Sequence, residues 1–116
     1  MARDDYHVIV YQILSYLYNC LKNGKRIDAQ KISHENEYFV INEAYWAFIM
    51  ENLYRDGLIR DVIIKETKGI RGSEVHIVSF ENCKITPKGI EYLTDNSFMK
   101  KAKEFFKDVK SIVPFI

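Results

Sequence analysis

At Gly57 the sequence changes period, and that switch limits the fold more than any other feature. Upstream, Trp46, Ile49 and Leu53 recur at helical spacing with Met50 beside them. Downstream, LIRDVIIKET and SEVHIVSF are rich in β-branched residues, with Lys68-Gly69-Ile70-Arg71-Gly72 between them. Two glycines make that connection a hairpin loop rather than a domain linker. Thr86-Pro87 then restarts a helix, with Thr at the N-cap and Pro at the first helical position.

The segments before Gly57 read as three helices. DDYHVIVYQILSYLYNCLKN, over 4–23, has Asp4 or Asp5 to cap it and Gly24 to stop it. Tyr6, Ile9, Ile13, Leu17 and Leu21 make one face, and Val8, Tyr11, Tyr16, Tyr18 and Cys20 cover most of the rest. A helix apolar nearly all round is covered on two sides, by the core and by something else. Asp28 caps a short helix, DAQKIS, and the polar segment HENEYFV follows. Asn42 begins the third helix, whose outward face carries Ala44, Ala47, Phe48, Glu51 and Arg55. The last segment, SFMKKAKEFFKDVKSIV, is amphipathic and stopped by Pro114. Phe98, Met99, Ala102, Phe105, Phe106, Val109, Ile112 and Val113 line one side, and five lysines between Lys100 and Lys110 the other.

With 116 residues and 13.7 kDa, the chain forms one domain, a body over 1–96 with a C-terminal helix over 97–116. Hydrophobic residues at 47% and charged residues at 28% fit neither a disordered nor a membrane-filling chain. Cys20 and Cys83 form no CxxC pair, so reduced thiols are expected. Asp4 and Asp5 stand where a signal peptide wants positive charge, and apolar runs stop at five residues. A soluble, cytoplasmic protein without a membrane partner is expected. Its core should hold Trp46, Ile49, Leu53, Leu58, Ile63, Val75, Ile77, Ile85 and Leu93.

Three helices, a strand, a loop, a strand and a helix is the order of a winged helix-turn-helix domain, an α+β fold, here with an additional C-terminal amphipathic helix. NEAYWAFIMENLYRDGLI has spaced large apolar residues and then a Gly that turns the chain into the wing, and ITPKGIEYL leads out of it. With ITPKGIEYLTDN followed by a Lys- and aromatic-rich helix, the chain resembles the YjcQ-like proteins of bacteria and their phages. That resemblance implies a winged-helix fold, a prophage-type origin and DNA binding.

Catalytic chemistry finds no support. His7, His34 and His76 lie on three elements without metal-ligand spacing, the glycines have turn or cap roles, and no serine sits in a nucleophile elbow. No enzyme, cofactor, metal or small-molecule ligand is expected. For DNA, charge divides unevenly. The net charge of +1 hides a third helix, Asn42 to Gly57, carrying Glu43, Glu51 and Asp56 against Arg55. The wing holds Lys65, Lys68 and Arg71 against Glu66, and seven lysines face four acids from Lys84 onward. The expected DNA contacts are therefore Lys65, Lys68 and Arg71 on phosphates, with Asn42, Tyr45 and Arg55 adding limited readout. The alternative is a protein-interaction or assembly module without DNA binding. A second copy is a candidate partner through the first and last helices, where Phe98, Ala102, Phe105, Val109 and Ile112 make either a dimer interface or the packing face of the last helix.

Overall fold

The computed structural model describes residues 5–36 and 39–108. α1 (Asp5–Lys22) is its centre: every residue from Ile9 to Ser15 is buried. Seven consecutive buried residues make nearly two turns, so the helix is enclosed on all sides there. α3 (Pro87–Asp95), α4 (Ser97–Asp108), the short strand β4 (Lys84–Ile85) and a 3-10 helix (Ala29–Ile32) all pack on it. The second cover that the α1 composition demands is thus supplied within the chain. Gly24, at φ +63, ends α1 in the left-handed region, and Lys25 N donates to Cys20 O at 2.9 Å. The candidate cap Asp4 lies outside the described residues.

The link to α2 is held by side chains. Asp28 N donates to the Tyr16 hydroxyl at 2.8 Å, and Asp28 Oδ1 caps the 3-10 helix by accepting from Gln30 N. Buried Ile32 in that helix accepts from Trp46 Nε1 at 2.8 Å through its carbonyl, and Trp46 meets Phe80 edge-on. α2 (Glu43–Arg55) starts at Asn42, as its sequence indicates, and buries Trp46, Ile49, Met50 and Leu53. Ala47 is buried too, although helical counting puts it outward, because α2 also packs on β3.

LIRDVIIKET, read as one strand, is two. β1 (Ile59–Arg60) pairs antiparallel with β4, and β2 (Ile63–Gly69) pairs antiparallel with β3 (Gly72–Ser79). Between β1 and β2, Asp61 takes φ +64, a conformation costly for a side-chain-bearing residue but tolerated best by Asp and Asn. The register shifts between Ile63 and Ile64, which throws Ile63 out of the expected core to 58% exposure. Ile77 and Leu93, also expected in the core, are only half-buried against it, and Val75 is half-buried without packing on it, while Trp46, Ile49, Leu53, Leu58 and Ile85 are fully buried. The sheet half of this α+β fold is therefore two separate ribbons.

GLI and ITPKG, distant in sequence, lock together at β1 and β4. Ile59 pairs with Ile85, and Thr86 N donates to Leu58 O at 3.0 Å. The Thr86 hydroxyl donates to Gly57 O and accepts from Gly89 N, capping α3 while tying it to the end of α2. Beyond giving its N–H to that cap, Gly89 sits where no side chain fits: a Cβ there would lie 2.1 Å from Leu58 O. It lets α3 touch backbone. Asn96 Oδ1 then accepts from Phe98 N and starts α4, whose Met99 and Ala102 are buried while Phe98 is 46% exposed. Val109, Ile112, Val113, Lys110 and Pro114 lie outside the described residues. Among those described, no helix is long and apolar enough to cross a membrane.

Candidate nucleic-acid interface

The β2–β3 hairpin projects its cations without burying any residue of either strand. Gly69 pairs with Gly72, leaving Ile70 and Arg71 as a two-residue turn, and Gly72 takes φ +110. Lys65, Lys68 and Arg71 are all exposed and make no ion pair among the described residues. Register distributes them. Lys65 stands opposite His76 and Lys68 opposite Ser73, so the strand alternation puts the two lysines on opposite faces. Arg71 occupies the tip. The cations therefore ring the end of the ribbon rather than forming a stripe.

The candidates on α2 are placed differently. Asn42 Oδ1 accepts from Ala44 N at 2.7 Å, so its side-chain oxygen is engaged as the helix cap. Arg55 Nε donates to Glu51 Oε2 at 2.6 Å, an i, i+4 pair that the spacing announces. Tyr45 is half-buried against the core. The structure gathers Lys65, Lys68 and Arg71 on one ribbon but brings none of these three α2 residues to it as a free reading group. On the last helix, Ala102 is packed inward and Phe98 lies flat against the His7 ring at 4.2 Å. Phe105 has its backbone in α4, and Val109 and Ile112 fall outside the described residues.

Between α2 and β3 runs an open groove of about 490 Å³ that sequence reading missed. Its walls include Trp46, Ala47 and Phe48 from α2, and five successive residues, Ser73 to Ile77, from β3. Successive side chains on a strand point to opposite faces, so five in a row border one groove only where it follows the outer edge of the strand. The rim is acidic: Glu43, Glu51 and Glu74 line it, and neither Lys25 nor Lys31 does. Phe48 is 53% exposed on its floor. Asp56, the remaining acid of this region, lies instead near Tyr6 and Tyr92. Burial first, then Tyr92 and Asp56, push the Tyr6 phenol above its ordinary value. The available sequence signal was the alternation Glu74, Val75, His76, Ile77, polar and apolar in turn.

A family model described as YjcQ protein matches residues 11–112. The chain belongs to the YjcQ family. No curated protein and no solved structure matches it. The match runs from mid-α1 through the hairpin to the last helix, and so contains both the cationic tip and the acidic groove. His34 and His76 each lie 3.8 Å from a carboxylate, Glu43 and Glu74 respectively, and no three His, Cys, Asp or Glu cluster as metal ligands among the described residues. Cys20 and Cys83 are buried free thiols. Burial chiefly, with Asp61 adding, pushes Cys83 from 9.0 up to about 12, which leaves it protonated and unreactive at neutral pH.

Proposed function

We propose that this chain is a non-enzymatic DNA-binding protein of winged helix-turn-helix type, a bacterial or prophage regulator whose wing is the β2–β3 hairpin. The observation that carries this reading is the projecting ribbon with three exposed, unpaired cations at and near its tip. Such a ribbon can enter a groove of the duplex while Lys65, Lys68 and Arg71 neutralise phosphates on both sides. The acidic α2, with Asn42 and Arg55 engaged, supports backbone contact in preference to base reading by that helix. Random duplex DNA titrated at two salt concentrations tests it. Three phosphate contacts correspond to a slope of log K on log salt of roughly −3. Lys68→Glu with Arg71→Glu should abolish binding. No binding of the unmodified chain at low salt, or a flat salt dependence, removes the reading. A protein-interaction module is the second reading, and the acidic groove along β3 is what favours it.

A further inference from the structure

We infer that the groove between α2 and β3 receives the hairpin tip of a second copy of this chain. The two surfaces complement one another in three respects. The groove rim carries Glu43, Glu51 and Glu74, while the tip carries Lys68 and Arg71. Glu43 and Glu74 side chains are 76% and 80% exposed, and among the described residues each has only a histidine, 3.8 Å away, as ion-pair neighbour, so they offer charge to an incoming cation. Glu51 is the exception, held by Arg55.

The apolar parts match as well. Ile70 stands at the turn with 106% relative exposure, sheltered by none of the described residues. The groove presents half-exposed Phe48 with Ala47, Val75 and Ile77 beside it. Moving a whole Ile side chain from water onto such a floor is the kind of burial that anchors an interface. Single exposed apolar side chains are ordinary, but this one is flanked by cations and faces a floor rimmed by acids.

Backbone geometry supplies the third respect. Among the described residues β3 pairs only with β2, so its other edge has unpaired N–H and C=O groups along the groove. A seven-residue hairpin arm is about 23 Å long at 3.3 Å per residue, enough to lie along β3 from tip to base. Because the groove borders the hairpin itself, two copies can exchange tips about a twofold axis, each giving and receiving. The dimer closes and leaves no repeating free end. This inference does not rest on the DNA reading; it engages the same Lys68 and Arg71, so dimer and DNA compete for them.

The test is the solution mass of the full chain by sedimentation, at low and at high salt. The unmodified chain should be a dimer that loses affinity at high salt. Glu43→Lys with Glu74→Lys makes groove and tip both cationic, and Lys68→Glu with Arg71→Glu makes both acidic. Each double variant alone should bind itself about a hundredfold more weakly, since like charges then face each other. Mixed in equal amounts, the two variants should recover a dimer, because every groove again meets a tip of opposite sign. All four positions are exposed, and circular dichroism confirms that each variant is folded. A monomeric unmodified chain, a dimer indifferent to both variants, or a mixture of folded variants that stays monomeric each overturns the inference. Duplex DNA bound undiminished by the dimer also overturns the claim of competition.

Discussion

α1 and the β2–β3 hairpin are built of similar raw material and end up opposite. Both are rich in Ile, Val and aromatic or polar alternations, yet α1 buries seven residues in succession and the hairpin buries none. The difference lies in what surrounds them. α1 is enclosed by α3, α4, β4 and the 3-10 helix, whereas the hairpin meets α2 along one side only, across a groove that borders Ser73 to Ile77. A two-stranded ribbon on its own is marginal in water, so the helical body must hold this one at its root. The body holds the buried core, and the hairpin holds exposed charge.

That contrast can be broken by measurement. Leu14→Ala, at the centre of α1 and fully buried, should cost about 2–5 kcal/mol in denaturant unfolding. Gly89→Ala should cost about 1–3 kcal/mol, because the new methyl must push α3 off the Leu58 backbone. Ile63→Ser, on the hairpin, should leave the unfolding free energy within about 0.5 kcal/mol, since the side chain already lies mostly in water. A hairpin cost equal to the Leu14→Ala cost would erase the division between the two regions.

A pH series sharpens the same division. The Cys83 thiol is raised in the folded state, so folding favours its protonated form. Its stabilising contribution is fully present below pH 9 and is lost as pH rises toward about 12. Tyr6, Tyr11, Tyr16 and Tyr92, all raised chiefly by burial, act in the same sense at higher pH than their ordinary value of 10.0. All five belong to the helical body or the loop beneath it. Cys83→Ala should flatten the alkaline fall in melting temperature relative to the unmodified chain; an unchanged slope would remove Cys83 as its source.

Local signals in the sequence translated directly into structure where one residue decides one geometry. Gly24, Asp28, Asn42 and Thr86-Pro87 all stop or cap the elements they punctuate. Features decided by distant partners were not legible. The β-branched run LIRDVIIKET conceals a break, because the turn at Asp61 is made by one residue without glycine. Ile63 is exposed through a register shift that no local pattern marks. Gly89 reads as a turn residue until Leu58, 31 positions earlier in the chain, is found against it. The candidate site divides in the same way. The cations of Lys65, Lys68 and Arg71 are visible in composition, but the groove exists only once α2 and β3 are side by side.

Trp46 gives this arrangement an optical handle. It is the only tryptophan of the chain, its indole N–H is anchored on the Ile32 carbonyl, and its ring forms part of the groove wall. Its fluorescence will therefore come from a single place where the 3-10 helix, α2 and the edge of β3 converge. A shift in emission wavelength reports release of the Ile32 anchor, and a change in intensity reports contact made or lost at the groove wall. One unlabelled chain thus reports its own unfolding, and any molecule that enters the groove, in separable signals.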